Sequence, residues 1–280
     1  MAVDLHLHTH HSDGTWSPAE LVKHSIKLKL RHIAITDHDT VFGIDEARAQ
    51  ANGDLEVIPG VEINTCAETG QKNKKDIHIL GYFFDHRDRK LLEVLSEQRN
   101  ARLHHVQQLI RQLNEAGVGL TMAAIEQFSQ GGAIGKAHLA KAMVSIGAAT
   151  GITDAYERYL SKSSPFYIHR ESVDPKTAVE AIVNAGGIAS LAHPGKGEHI
   201  FALITQLQAF GLGGVEVYHR IHSVHTVQRL IRFANKNNLL MTGGSDCHGP
   251  YEGSPPSVGS IAVPLEVVSK LRFAAKVPAG

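Results

Sequence analysis

The chain has 280 residues, 42% of them hydrophobic and only 20% charged. That is enough for one large core or a core carrying an inserted lobe, and single-domain barrels of roughly 250 residues are ordinary. Lys plus Arg and Asp plus Glu both number 28, so the formal net charge is zero. This excludes a protein that coats nucleic acid through a basic excess, though not a pocket that grips a few phosphates. The two cysteines, Cys66 and Cys247, are too few for a disulfide framework. The first residues carry no basic segment followed by an apolar one, and no apolar run approaches the roughly 20 residues of a membrane helix. A cytoplasmic protein with no membrane contact and no stable protein partner is the expectation. The outlying feature is 19 histidines, dispersed rather than clustered in a tag.

Strand and helix alternate along the chain. Val3 to His8 reads as a short strand. Ser17-Pro18-Ala19-Glu20 carries a helix start, with Ser17 as N-cap, Pro18 first in the helix and Glu20 third, and the helix extends to about Lys29. Strands follow at 31–36, 55–64 and 77–84, with a helix at 41–51. After Asp174-Pro175 come helices at 176–184, 201–210 and 224–235, and strands at 188–192, 214–218 and 239–242. A last strand at 258–263 and a helix at 265–276 close the pattern. Repeated βα units with short connections predict a parallel sheet closed into a barrel. Between Asp88 and about Ser164 the rhythm breaks. A long helix ends near Gly117, and helices at 123–127, 136–146 and 154–160 follow without a strand of the main sheet. Residues 100–165 are therefore expected to form a small helical cap lobe inserted into a barrel made of 1–99 and 166–280.

The chemistry lies at the predicted strand ends. Residues two apart on a strand face one side, so His6 and His8 point together while Leu5 and Leu7 face the other way. Asp13 follows in the loop. Further along come Thr36-Asp37-His38, Gly60-Val61-Glu62, His78, His193-Pro194 and Ser245-Asp246-Cys247-His248. The C-terminal ends of barrel strands are where such folds build active sites. Taken singly, any of these could be a satisfied core or loop residue. Together, His6, His8, Asp13, His38, Glu62, His78, His193, Asp246 and His248 are too many ligands for one ion and would serve two or three. Six imidazoles and three carboxylates suit Mn, Fe or Zn better than Mg. Cys247 would face away and is read as packing. Gly135-Lys136 invites a phosphate-loop reading, which fails because Gln130 stands where a glycine is required and Ala137 where Ser or Thr is.

This ordered set resembles the PHP (polymerase and histidinol phosphatase) family across residues 1–85 and 165–262. The resemblance implies a distorted (β/α)7 barrel with an inserted small helical lobe, and a multinuclear phosphoesterase. Length and insert are similar to the TrpH-like group, metal-dependent phosphoesterases acting on 3′,5′-bisphosphonucleotides or, as 5′→3′ exonucleases, on short oligonucleotides. By that resemblance His6, His8, Glu62 and Asp246 surround one ion. Glu62, His78 and His193 hold the second, with Glu62 bridging, and Asp13, His38 and His248 hold the third. Two or three divalent ions, Mn ahead of Fe or Zn, would share a hydroxide, held by Glu62, that attacks phosphorus in line. Asp37 is the candidate for orienting a ligand imidazole from behind. The substrate is expected to be a small nucleotide or a short oligonucleotide. A second substrate phosphate needs cationic or donor groups, for which Lys136, His138, Arg158, Arg170, His219, Arg220 and His222 are candidates beside the plainer reading of solvated or packed side chains. Lys136 and Ala137 depart from a Gly-Arg-Pro-His-Ile-Ala segment of that group, and Lys keeps charge while losing bidentate geometry. The leading expectation is removal of a 3′-phosphate from a 3′,5′-bisphosphonucleotide. The alternatives are the exonuclease, a histidinol-phosphate phosphatase and a non-catalytic metal-binding regulatory module.

Overall fold

The structure is a computed structural model and describes residues 2–51, 53, 55–69, 73–129, 132–195, 197–250 and 255–276. Strands β1 (Val3–Leu7), β2 (His32–Ile35), β3 (Glu56–Thr69), β4 (Asn73–Tyr82), β5 (Ile188–Leu191), β6 (Leu212–Tyr218) and β7 (Leu240–Gly243) pair in sequence order in one curled sheet. The edges meet at one end. Leu7 bridges Cys247 in parallel, His8 N–H donates to Cys247 O over 3.0 Å, and Asp246 N–H donates to His6 O over 2.9 Å. Gly244 permits that closure, because a Cβ there would stand 2.4 Å from the His6 backbone nitrogen.

Helices α1 (Pro18–Lys27), α2 (Gly43–Gln50), α7 (Pro175–Asn184), α8 (Glu198–Gln208), α9 (Val224–Lys236) and α10 (Glu266–Ala274) accompany the strands. The start of α1 has the predicted reciprocal cap: Glu20 N–H donates to Ser17 Oγ over 3.2 Å, and Ser17 N–H donates to Glu20 Oε2 over 2.8 Å. Asp174 caps α7 one way only, accepting from Thr177 N–H at 2.9 Å.

Two expectations are corrected. The sheet is not parallel throughout, since β4 runs antiparallel to both β3 and β5 while the other pairs are parallel. A parallel crossover needs about a dozen residues or more, and only positions 70–72 separate β3 from β4. Residues 258–263 are not a strand. They form an irregular segment tied down by buried Val258 and Val263 and by a 2.8 Å hydrogen bond from Gly259 N–H to Asp4 Oδ2.

Helix α3 (Arg89–Glu115) leads from the barrel into α4 (Met122–Ser129), α5 (Lys136–Ser145), α6 (Ile152–Ala155) and a π-helical turn at Tyr156–Leu160. Its buried side chains, Leu91, Leu95, Gln98, Arg102, Val106, Leu109 and Leu113, recur every three or four residues and make one stripe. Leu91 and Leu95 pack into the barrel core with Ile79, Ile182 and Val215. Val106, Leu109 and Leu113 pack into a separate core with Ile125, Leu139, Met143 and Leu160. Between them, at Gln98 and Arg102, the stripe turns polar, and that stretch faces the strand ends.

Candidate metal centre and its cavities

The geometry converges on Glu62, a fully buried carboxylate on β3. Its Oε2 lies 3.3 Å from His6 Nε2, 3.3 Å from His8 Nε2 and 3.0 Å from His38 Nδ1. Its Oε1 lies 2.8 Å from His78 Nδ1 and 3.0 Å from His193 Nε2. Asp246 stands across from it, with Oδ1 3.2 Å from His8 Nε2 and 3.5 Å from His6 Nε2. Asp13 gathers the third set: its oxygens approach His248 Nε2 at 3.3 Å, His38 Nε2 at 3.8 Å and His8 Nδ1 at 3.8 Å. All nine sequence-derived ligand candidates thus meet at one place. His38, Glu62 and Asp246 bring the strand ends together from separate elements, and Asp39, His193 and Asp246 sit there at positive φ of 56°, 23° and 53°.

These side chains fit divalent cations. His6 Nε2, His8 Nε2, His38 Nδ1, Glu62 Oε2 and Asp13 Oδ1 are buried without a hydrogen-bond partner, yet all point into the same small volume. Unpaired buried polar atoms are costly, and a shared cation satisfies them together. The donors are imidazole nitrogen and carboxylate oxygen, a set that suits first-row transition metals and zinc. Cys247 stays apart, its Sγ accepting from Gly249 N–H at 3.3 Å. Burial alone would raise the Glu62 and Asp13 carboxyls, but the surrounding imidazoles hold both well below the usual range. Burial depresses His38 to about 3, so its ring is neutral and ligand-ready. Burial also works against a charged His248, but Asp13 and Asp246 override it and lift that ring to about 10.

Several residues hold the ligands in place. Glu216, buried on β6, lies with Oε1 2.9 Å from His6 Nδ1, while Oε2 accepts from His193 N–H at 2.7 Å. It fixes the His6 ring so that Nε2 faces the centre. Sequence reasoning missed this role, although a Glu inside the apolar run Val215-Glu216-Val217 was the available signal. Arg102 was missed as well. Its Nη2 lies 2.5 Å from Asp39 Oδ2, and Asp39 also accepts from Asn64 N–H at 2.9 Å. The role expected of Asp37 is corrected. It accepts from Thr9 N–H at 2.7 Å and from the Thr9 and Ser12 hydroxyls at 2.6 Å each, rather than from a ligand ring. Ser12 Oγ in turn lies 3.4 Å from His8 Nδ1, so Asp37 reaches the imidazole only through the loop it holds.

The seven phosphate-contact candidates separate. Lys136 and Arg170 line a cavity of about 380 Å³ whose wall includes Asp13, His38, His78 and His193. Burial lowers Arg170 to about 10 beside Arg102. Arg220 lines a different cavity, of about 460 Å³, that touches Asp13, Asp246 and His248. His219 Nε2 stands 3.5 Å from Asp246 Oδ2 and groups with His6 and Glu216, which makes it a further candidate ligand instead. His138 is buried and its Nδ1 accepts from Gly135 N–H at 3.0 Å, closing the start of α5. His222 braces the β6 end, with Nδ1 2.9 Å from Val217 O and Nε2 accepting from Gly195 N–H at 3.1 Å. Arg158 is corrected most plainly: it is exposed on the lobe and bound to Ala148 O at 3.2 Å and Asp154 Oδ2 at 3.3 Å. Among the described residues no helix is long and apolar enough to cross a membrane.

Comparison with known proteins adds to this geometry. The family model for the PHP domain matches residues 4–168. A 5′-3′ exoribonuclease of Haemophilus influenzae is 34% identical over 252 residues, covering 88% of this chain and 90% of the relative. A 3′,5′-nucleoside bisphosphate phosphatase of Chromobacterium violaceum is 31% identical over 257 residues, covering 90% and 88%. The crystal structure of a candidate metal-dependent phosphoesterase from Bifidobacterium adolescentis superposes with a TM-score of 0.87 at 29% identity, covering 98% of this chain and 96% of that one.

Proposed function

The chain belongs to the PHP domain family and is a metal-dependent phosphoric ester hydrolase, and from that premise we propose that it removes the 3′-phosphate of 3′,5′-bisphosphonucleotides, leaving the 5′-nucleotide and inorganic phosphate. The observation that carries this reading is the cavity of about 380 Å³, whose wall holds the ligand candidates Asp13, His38, His78 and His193 together with the cations Lys136 and Arg170. Its volume lies in the range of small-molecule sites. Val106, Leu109, Ile134 and Leu139 add an apolar part to the same wall, suited to a base. A substrate with one phosphate at the ligands and another at the cations fills it. Histidinol phosphate, with a single phosphate, leaves Lys136 and Arg170 without a phosphate to bind.

His6, His8, Glu62 and Asp246 would hold one ion. Glu62, His78 and His193 would hold a second, and Asp13, His38 and His248 a third, with His219 joining through Asp246. Manganese is the first choice for this nitrogen-and-oxygen donor set, ahead of iron or zinc. Bound there, divalent ions supply Lewis acidity that offsets charge on the phosphoryl oxygens and eases ionisation of water. The protein's own part is positional. Glu216 aims His6, the Asp37–Ser12 chain steadies His8, and Lys136 and Arg170 take the 5′-phosphate so that the 3′-ester lies at the ligands. The cap lobe covers the nucleoside and limits its exchange with solvent.

The test is a panel offered to Mn-loaded protein: adenosine 3′,5′-bisphosphate, 5′-AMP, histidinol phosphate and a 5′-phosphorylated trinucleotide. Phosphate release chiefly from the bisphosphate, with 5′-AMP left over, is the expected result. Turnover of histidinol phosphate at an equal or higher rate would overturn the proposal, as would metal binding without turnover of any of the four. Stepwise mononucleotide release with little bisphosphate turnover would make the exonuclease the main activity.

A further inference from the structure

A second group of metal donors lies outside the cluster around Glu62 and shares no member with it. His10 and His11 belong to the turn that leads from β1 to Asp13, and Glu46 stands in the first turn of α2. One donor atom from each, two imidazole nitrogens and a carboxylate oxygen, lie within 4.8 Å of one another. The backbone brings them together. His10 N–H donates to Trp16 O over 2.8 Å, His11 N–H donates to Thr9 Oγ1 over 3.2 Å, and His11 O accepts from Ala133 N–H at 2.8 Å. Gly43 makes room for the His11 ring against α2, since a Cβ there would stand 3.1 Å from His11 Cδ2. Glu46 is three residues further along the helix and so lies on the same face. Its Oε1 accepts from Ala19 N–H at 3.3 Å, which leaves Oε2 to His11, whose Nε2 is 3.9 Å away.

That spacing is too long for a hydrogen bond, which needs about 3 Å. It is close to the separation of two ligands on one cation: at zinc bond lengths of about 2.1 Å, tetrahedral neighbours stand about 3.4 Å apart. His11 Nε2 is itself buried and has no hydrogen-bond partner, although the side chain as a whole is 24% exposed. The His10 ring lies beside it, with centroids 4.7 Å apart. His10 is half-buried and Glu46 exposed, so small side-chain rotations close the trio on an ion. We propose that His10, His11 and Glu46 form a separate zinc site, which clamps the turn leading to Asp13 onto α2 and takes no part in hydrolysis. Two imidazoles and one carboxylate leave a fourth position for water. Zinc outranks manganese for such a donor set, so zinc fills this site first. Asp37 already holds the same turn through Thr9 and Ser12, and the ion adds a second tie to it from α2.

The test compares the full-length wild type with Glu46→Gln and, from the other partner, His10→Gln. Both substitutions keep a polar side chain of similar size, and neither touches the ligands around Glu62. Each protein is dialysed to equilibrium against buffered free zinc, and bound zinc per chain is counted by elemental analysis. The ions around Glu62 contribute equally to all three proteins, so the difference isolates the trio. Wild type is expected to hold one zinc ion per chain more than either variant. A second readout is thermal unfolding with and without zinc. At free zinc 100-fold above its dissociation constant for the trio, wild type should gain about 5 °C more than the variants. Metal-free unfolding temperatures of the three proteins serve as the baseline, so a variant that is weaker from the start is still compared by its own gain. Zinc content equal to wild type in either variant overturns the site and leaves His11 and Glu46 as a loose ion pair. An equal thermal gain in all three overturns the clamp. Neither readout depends on which phosphoester the enzyme cleaves.

Discussion

Glu216 and His6 form a pair that no solvent reaches: Oε1 lies 2.9 Å from Nδ1, and both side chains are 0% exposed. With Nδ1–H donated to the carboxylate, Nε2 is left as the metal-facing nitrogen. Glu216→Gln keeps the size but weakens that preference. Its metal affinity should fall by about 10–100-fold, with turnover recovered at saturating metal. Activity followed against added Mn checks this, and an unchanged half-saturation point would remove Glu216 from the positioning role.

Glu62 touches five imidazoles, from His6, His8, His38, His78 and His193. No other carboxylate of the described residues gathers as many ligand rings. Glu62→Ala should therefore lose bound metal and activity together, seen by elemental analysis of the dialysed protein alongside phosphate release. Near-normal turnover in this variant would refute a bridging role.

His138 gives a pH signature in which burial outweighs the opposing Asp13 carboxylate. Its Nδ1 accepts from Gly135 N–H, so the folded state needs the neutral ring, and burial lowers it from 6.5 to about 4. The unfolded chain binds this proton near 6.5 and the folded chain only near 4. Stability is therefore complete above the unfolded value and falls as pH drops below it, levelling off under about 4. Between pH 7.5 and 5 the loss should be about 2 kcal/mol. Urea unfolding of wild type and His138→Gln at both values isolates it, since the variant should lack that increment; identical pH dependence would assign it elsewhere.

Lys136 shares a cavity wall with the ligand candidates His78 and His193, with its ammonium 5.8 Å from the Tyr167 ring centre. Lys136→Ala should raise KM for adenosine 3′,5′-bisphosphate by about ten-fold, the order of one charge-assisted phosphate contact, and change KM for adenosine 3′-monophosphate little. Parallel kinetics on the two substrates checks this, and an equal loss on both would place Lys136 outside the 5′-phosphate site.

The gathering of the candidate ligands was legible because its signals are local. The two-residue period of a strand puts His6 and His8 on one side, and the other ligands follow strand ends that composition alone marks. The residues that tune the centre act across the barrel and leave weaker traces. Glu216 and His6 are 210 positions apart, and only a carboxylate in an apolar strand hints at the pairing. His219 reads as one of several basic groups at the end of β6 until the fold brings Asp246 beside it. Gln98 and Arg102 look like surface polar residues unless the whole stripe of α3 is traced. Strand direction was hidden for another reason: an apolar run such as Ile77-His78-Ile79-Leu80 satisfies the same burial pattern whichever way it runs, and only the short connection from β3 reverses β4.

Helix α3 has 27 residues, a rod of about 40 Å, and its two ends are built into different cores. The cap therefore cannot be excised as an ordinary surface loop could be. Cutting out residues 116–165 would leave Val106, Leu109 and Leu113 without the partners that now bury them, and the same helix would still have to hold Arg102 against Asp39 beside the candidate ligands. Loosening the lobe thus reaches the strand ends through a single continuous backbone, so an edit to the lobe is also an edit to the frame around Asp39 and Asn64.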